Sequence, residues 1–204
     1  MTRILLALFA LAASPAAAQD GPAAGGRPSD GLLVRPDLQA LVDLQVRRDG
    51  ASLAARLDDT DPAVRARAAF ALASVQDTSA VPALLDALGD SDSRVRADAA
   101  FALGQTADST AAGELLEALG REPDATVRAR LLEAVGKTGG SAALGRLAET
   151  APRPAEEWAR AMAIARFGLR GVHHAPATAW LAGLLTSDDP ARREAAAYAF
   201  GRWS

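Results

Sequence analysis

The sequence predicts an all-α solenoid, a row of two-helix repeats in which each repeat buries its apolar face against its neighbours. Two observations support this prediction. The phrase DPAVRARAAFAL at residues 61–72 returns as DSRVRADAAFAL at residues 92–103, 31 positions later. About a quarter of the 204 residues are alanine, which favours helices, whereas β-branched residues are scarce.

Five copies of the unit can be aligned on a recurring Val-Arg pair. Val64, Val95 and Val127 are 31 and 32 residues apart, a weaker copy falls near Ala159, and Arg192 follows 33 residues later. The pattern predicts an entry helix over residues 37–48, followed by five repeats of 31–33 residues. The predicted repeats cover about residues 50–77, 78–107, 108–139, 140–170 and 174–204.

Each repeat is predicted to contain two helices joined by a tight acidic turn. In the second copy, Val81, Leu84 and Leu88 have the spacing of an amphipathic first helix. Gly89 follows this helix, as Gly120 does one copy later, and each is expected to form a left-handed helix cap. In four copies the second helix begins at an aspartate that can accept hydrogen bonds from the free backbone N–H groups. These predicted N-caps are Asp61, Asp92, Asp124 and Asp189.

The aromatic residue of the repeated phrase lies away from the predicted core. On a helical wheel, Phe70 lies about 150° from the centre of the apolar stripe. That stripe contains Val64, Ala68, Ala71, Leu72 and Val75. The position of Phe70 is taken by Phe101, Glu133 and Tyr198 in copies two, three and five, and is flanked by Arg67, Asp98, Arg130 and Lys137. Two interpretations stay open: the rings pack between neighbouring second helices, or they anchor a partner.

Residues 1–18 predict a cleavable signal peptide. Arg3 precedes an apolar run, residues 4–13, that is too short to span a bilayer, and small residues lead to a cleavage site after Ala18. We therefore expect an exported chain, periplasmic or secreted, whose residues 19–36 form a flexible segment rich in Gly and Pro. No other segment is apolar enough over sufficient length to predict a membrane span.

Composition and motifs exclude several classes of site. The formal net charge is −3 and the basic residues are not clustered, so a nucleic acid is not expected as partner. The chain has no cysteine, and His173 and His174 are its only histidines, so neither a metal nor another cofactor is expected. Because no Walker loop, nucleophile elbow or Rossmann glycine pattern occurs, no catalytic residue is predicted.

The phrase D-x-D-P-x-V-R-x-x-A-A-[aromatic]-A-L resembles the HEAT-like repeats first described in phycobilisome lyases, over about residues 50–204. The resemblance implies a right-handed α-α superhelix whose second helices line the concave surface. It also implies a ladder between successive repeats, formed by the acidic residue of the turn and the arginine after the valine. Carried over by position, these residues are Asp59 with Arg65, Asp90 with Arg96, and Glu122 with Arg128. Arg193 departs from the pattern because Ser187 stands at the matching position.

The predicted function is that of a monomeric, non-catalytic scaffold, which binds a protein or peptide along the concave row of second helices. Residues 41–59 also look like the start of HEAT arrays at the head of exported bacterial peptidyl-prolyl isomerases of the cyclophilin type. The alternative is therefore the repeat region of a longer exported enzyme, and nothing in residues 1–204 resembles its isomerase domain.

Overall fold

The computed structural model describes residues 35–202, which form eleven α-helices and no strand. The entry helix is Pro36–Val46. The first helices of the five repeats are Gly50–Ala54, Val81–Asp86, Ala112–Arg121, Ser141–Glu149 and Ala175–Leu184. The second helices are Pro62–Val75, Ser93–Thr106, Ala125–Thr138, Glu157–Leu169 and Pro190–Gly201. The all-α repeat fold is confirmed, whereas the predicted signal peptide and residues 19–34 lie outside the described residues.

The second helices begin where the sequence predicts. Each of the four predicted N-cap aspartates accepts a hydrogen bond from the backbone N–H two residues later, and two of them also accept from the next N–H. The four are Asp61, Asp92, Asp124 and Asp189. Repeat four differs, because its second helix begins after Glu156, whose side chain makes no cap hydrogen bond.

The left-handed caps predicted at Gly89 and Gly120 are wrong. Gly89 ends a 3-10 segment and Gly120 lies inside the first helix of repeat three, because each first helix continues into its turn without reversing. Apart from Gly171 in the loop after repeat four, the left-handed conformation occurs instead at the non-glycine residues Arg48, Gln76 and Ala107, with φ values of 55°, 56° and 54°. These residues follow the entry helix and the second helices of repeats one and two, where the chain turns towards the next repeat.

The core is continuous along the array. The five residues of the predicted apolar stripe in repeat one are all at most 5% exposed, which confirms the helical wheel. Each second helix also contacts the next second helix more extensively than it contacts the first helix of its own repeat. Ala66, Ala69 and Ala73 are buried at such a contact, and their small side chains let the helix axes come close.

Glycine marks the closest approaches between second helices. A methyl group added at Gly136 would lie 2.8 Å from the Cα of Ala163 in the next second helix. One added at Gly104 would lie 3.0 Å from the Cα of Ala134. Since the obstructing atoms belong to a helix backbone, a side chain at either position would force the two helices apart.

A ladder of arginine–carboxylate pairs connects successive turns. Arg65 donates through Nε and Nη2 to both carboxylate oxygens of Asp90, at 2.7 and 2.9 Å. Arg96 donates in the same way to Glu122, through Nε to Oε2 at 2.7 Å and through Nη2 to Oε1 at 2.9 Å. In the third rung Arg128 donates to Glu156, with Nη2 3.0 Å from Oε2. Planar guanidinium groups favour this bidentate geometry, which fixes the relative orientation of the two side chains as well as their distance.

The ladder departs from the predicted pairing in its register. The carboxylate partner of each arginine comes from the following repeat, whereas its own turn supplies only a backbone carbonyl. Arg65 thus donates through Nη1 to the carbonyl of Asp59, at 2.8 Å, and not to its carboxylate. In the first two rungs the turn carboxylate faces the preceding repeat while it accepts a hydrogen bond from the N–H of the N-cap residue: Asp90 accepts from Asp92 at 2.8 Å and Glu122 from Asp124 at 2.9 Å.

The ladder ends at repeat four. Glu156, the carboxylate of the third rung, is the 2%-exposed partner of Arg128. Arg160 holds the equivalent arginine position and donates to the carbonyls of Leu147 and Thr150, both at 2.7 Å. Its Nε and Nη2, the atoms that grip a carboxylate in the earlier rungs, have no hydrogen-bond partner within residues 35–202. In the next turn, Ser187 stands at the position that carries the ladder carboxylate in the earlier turns.

The ladder predicts a loss of stability in acid. Hydrogen bonds from Arg65 lower the pKa of Asp90, and those from Arg96 lower the pKa of Glu122. A lowered pKa in the folded state contributes stability that is present above the unfolded values, about 3.9 and 4.3, and is lost as the pH falls through the folded values. We expect the free energy of unfolding, measured with urea, to decrease steadily below about pH 4.

Removing the carboxylates tests whether the ladder causes the loss of stability in acid. Asp90→Asn with Glu122→Gln should lower the free energy of unfolding at pH 7 by about 1–3 kcal/mol per rung and flatten its decline in acid. Asp86→Asn, an exposed change on a first helix, is the matched control and should keep the wild-type profile. An undiminished acid decline in the double variant would contradict a role for these rungs.

The close approach at Gly136 gives a second prediction. Gly136→Ala should destabilise the protein, because the new methyl group meets the backbone of Ala163. Gly113→Ala, where no atom lies within 4 Å, should be neutral or stabilise by up to about 1 kcal/mol through helix propensity. Urea unfolding of both variants measures their free energies of unfolding. Equal values would contradict the prediction, because the two second helices would then have moved apart without loss of stability.

Candidate protein-interaction surface

The exposed side chains of the second helices form one surface. These helices contact one another along the row more extensively than the first helices do, which is the packing expected on the inner side of a curved array. We call this surface the inner strip. Its members are Arg67, Phe70, Arg94, Asp98, Phe101, Arg130, Glu133, Lys137, Trp158, Arg166 and Tyr198. All eight surface residues predicted from the sequence belong to it.

Two phenylalanines form the first aromatic pair of the inner strip. The rings of Phe70 and Phe101 are stacked, with centroids 6.0 Å apart and an interplanar angle of 19°. Phe70 is 48% exposed, whereas Phe101 is partly buried against the core. The structure therefore combines the two interpretations that the sequence left open: the rings pack between neighbouring second helices, and one of them still presents a large apolar surface.

Cations surround this aromatic pair. The guanidinium of Arg67 lies 5.8 Å from the ring centre of Phe70. Arg130 and Lys137, both from the second helix of repeat three, lie 4.9 and 5.6 Å from the ring centre of Phe101. Such contacts are worth about 0.5–1 kcal/mol at exposed sites. These contacts hold the charged groups beside the rings, so the surface combines an apolar contact and a positive charge at the same place.

Glu133 forms the ionic centre of the inner strip. Sequence alignment places it at the aromatic position of repeat three, and the structure surrounds it with Lys137 at 2.9 Å, Arg130 at 3.1 Å and Arg166 at 3.7 Å. Burial raises the pKa of Glu133, but the hydrogen bond from Lys137 and the neighbouring cations outweigh it and hold the pKa below its usual range. The carboxylate is therefore ionised at neutral pH and bridges the second helices of repeats three and four.

Asp98 is the other carboxylate of the strip. Burial raises its pKa, and the positive charges of Arg94, Arg130 and Arg67 oppose that change only in part. The ion pair with Arg94, at 3.9 Å, is loose, and the Arg94 side chain is 82% exposed. Arg94 is consequently the most accessible cation near the phenylalanine pair.

A second aromatic pair lies at the other end of the strip. The rings of Trp158 and Tyr198 are 6.1 Å apart with an interplanar angle of 36°, and the two residues are 47% and 42% exposed. Sequence reasoning missed Trp158, because it does not occupy the repeated aromatic position, which is Ala165 in repeat four. The available signal was a tryptophan at a helix position where the earlier repeats carry small or polar residues.

Two other features bear on the kind of site. In the described part of the chain, no group of three or more His, Cys, Asp or Glu side chains is arranged to hold a metal ion. Among residues 35–202, no helix combines the length and hydropathy that crossing a bilayer requires.

Comparison with known proteins identifies the repeat type. The family model of HEAT repeats matches residues 50–136. Because the match covers less than half of the chain, it shows that these residues are similar to HEAT repeats. No curated protein sequence matches the chain at a significant level. Repeats four and five continue the same two-helix pattern beyond the matched segment. The turn of repeat four is longer, since its first helix ends at Glu149 and its second begins at Glu157, and the turn of repeat five has Ser187 at the position of the ladder carboxylate.

Solved structures share the architecture. The complex of CpcE and CpcF of phycocyanin lyase from Nostoc sp. PCC7120 matches with a TM-score of 0.57 and 23% identity, over 92% of this chain and 81% of that chain. A designed armadillo repeat protein in complex with the peptide (KR)4 matches with a TM-score of 0.52 and 16% identity, over 82% and 85%. An engineered protein matches at 0.53 and 22%, over 85% and 96%. At these identities the likeness concerns the fold.

Because Phe70 and Phe101 are buried to different extents, we expect their replacement by alanine to lower the free energy of unfolding by different amounts. Phe70→Ala should lower the free energy of unfolding by less than about 1 kcal/mol, because nearly half of the side chain is already exposed. Phe101→Ala should cost about 2 kcal/mol, since its ring packs on the core and carries both cation contacts.

Urea unfolding of the single and double variants measures these costs and the coupling between the two rings. Phe167→Ala is the matched control, because this fully buried residue should cost about 3–5 kcal/mol. A cost at Phe70 that equals the cost at Phe167 would show that Phe70 belongs to the core.

Proposed function

We propose that this chain is a non-catalytic scaffold that binds a segment of another protein along the inner strip. The observation that carries the proposal is the presence of two aromatic pairs on one row of helices, Phe70 with Phe101 and Trp158 with Tyr198, in which all residues except Phe101 are exposed. Solvent-exposed aromatic rings grouped on one face are typical of interaction sites, where a few such residues supply most of the binding energy.

Preorganisation supports the proposal. The rings sit on helices whose spacing is set by close Ala and Gly contacts and by the arginine–carboxylate ladder. Side chains that are held in place before binding lose little conformational entropy when a partner arrives. The strip is therefore a rigid surface that a flexible partner segment can follow.

The solenoid fold supplies further support. The designed armadillo repeat protein that shares this architecture is in complex with a peptide. In this chain, second helices spaced by about 8–10 Å place the two aromatic pairs about three repeats apart, so an extended segment of about eight residues reaches from one to the other. The predicted signal peptide adds the proposal that binding takes place outside the cytoplasm.

A selection from a random peptide library, with the full chain as bait, tests the proposal. Selected peptides should bind wild type and lose at least about ten-fold in affinity with Phe70→Ala or Tyr198→Ala, as expected for aromatic anchors. Fluorescence anisotropy with the labelled peptides measures these affinities.

Leu185→Ala provides the matched control. Leu185 is 42% exposed but follows the first helix of repeat five, away from the inner strip, so its truncation should leave the affinity unchanged. Failure to select any peptide, or equal losses with Leu185→Ala and Phe70→Ala, would contradict binding at the inner strip and favour a purely structural spacer.

A further inference from the structure

Charge is distributed unevenly between the two rows of helices. Around the phenylalanine pair and Glu133, the inner strip presents five cations and two carboxylates. The cations are Arg67, Arg94, Arg130, Lys137 and Arg166. Exposed carboxylates lie on the first helices instead, among them Asp86, Glu114, Glu117 and Glu149. An acidic protein with a net charge of −3 thus carries a locally positive inner surface.

The surplus cations are accessible. The side chains of Arg94, Arg130 and Arg166 are 82%, 45% and 34% exposed. Their two carboxylate neighbours, Asp98 and Glu133, are much less exposed, at 21% and 23%. A ligand approaching the strip therefore meets guanidinium groups before it meets carboxylates, and Lys137 adds a further partly exposed charge beside Glu133.

Towards the second aromatic pair the charges balance. Glu157 and Arg192, on the second helices of repeats four and five, form an ion pair at 2.7 Å. The positive surplus is therefore concentrated between Phe70 and Arg166, while Trp158 and Tyr198 offer a mainly apolar contact.

From this arrangement we infer that the bound segment is an acidic, extended peptide, with Asp or Glu side chains that meet Arg94, Arg130 and Arg166 and apolar side chains that pack on the two aromatic pairs. This inference rests on the proposed scaffold function and names the chemistry of its partner. Arginine favours carboxylates through paired N–H donors, and complementary charge speeds association and rejects partners of the wrong sign. The fold alone does not give this result, because the peptide (KR)4 in the similar designed protein is basic.

A single-stranded nucleic acid also combines negative charge with groups that stack on rings, but the strip favours a peptide. Phosphate-backbone binders present an uninterrupted positive track. Here Asp98 and Glu133 lie between the cations, and Glu133 alone pairs with three of them. A peptide can carry its acidic residues at positions that face the cations and neutral residues at positions that face Asp98 and Glu133. A nucleic acid carries a phosphate at every nucleotide, so some of its phosphates would lie against these carboxylates.

Three labelled peptides of about ten residues test the inference; they alternate Phe or Leu with Glu, with Gln or with Lys. Binding to the full chain is measured by anisotropy at ~0.1 M and ~1 M salt, where the screening length falls from ~10 to ~3 Å. The Glu peptide should bind most tightly and the Lys peptide most weakly at low salt, and the difference should shrink at high salt. An oligothymidylate of similar length serves as the nucleic-acid probe.

Charge reversal locates the effect. Arg94→Glu with Arg130→Glu should weaken the Glu peptide by at least about ten-fold and strengthen the Lys peptide. Arg121→Glu, an exposed change at the end of a first helix, is the matched control and should alter neither affinity. Urea unfolding of each variant shows that the fold is retained.

The outcomes separate this inference from the scaffold role. If the Gln or Lys peptide binds as tightly as the Glu peptide and Phe70→Ala weakens it, the acidic preference is overturned while the scaffold role stands. Tighter binding of the oligothymidylate overturns the inference in favour of a nucleic acid. Binding by none of the probes overturns the acidic preference, and the library selection then decides the scaffold role independently.

Discussion

The stacking of the repeats depends on a guanidinium group that reaches from the start of one second helix to the turn of the next repeat. In each of three rungs it grips a carboxylate with two N–H donors and binds its own turn through a backbone carbonyl. In the first two rungs the carboxylate also accepts a hydrogen bond from the N–H of the N-cap residue, so one side chain orders a turn, a helix start and an interface. Ion pairs of this kind fix the register of some proteins, and we attribute the register of the repeats to this ladder.

That register controls what the inner strip can do. With the turns held in line, Ala and Gly bring neighbouring second helices into backbone contact, and Gly136 leaves no room for a methyl group. The same spacing stacks Phe70 on Phe101 and brings Arg130 and Lys137 of the next repeat over the rings. Aromatic and cationic groups from three consecutive repeats therefore form one surface, although no single repeat contains it.

Repeat four is where the pattern changes. Its longer turn delivers Glu156 to the third rung, but the following turn has Ser187 in place of an acid, and Arg160 lies 5.9 Å from the ring centre of Trp180 instead. The aromatic position of this repeat is Ala165, and Trp158 supplies a ring from two turns earlier. The array thus keeps an aromatic pair with at least one exposed ring at each end of the strip, with the ionic cluster around Glu133 between them.

The sequence by itself determined the repeat length, the two-helix unit, the four N-caps and the buried stripe, because these depend on residue type and on contacts within one or two turns. It also named Phe70 and Phe101. It did not determine which repeat supplies the carboxylate of each rung, that Trp158 pairs with Tyr198, or that the cations gather on one row. Those features depend on side chains about 30 residues apart that meet only when the repeats stack, so the tertiary structure alone decided them.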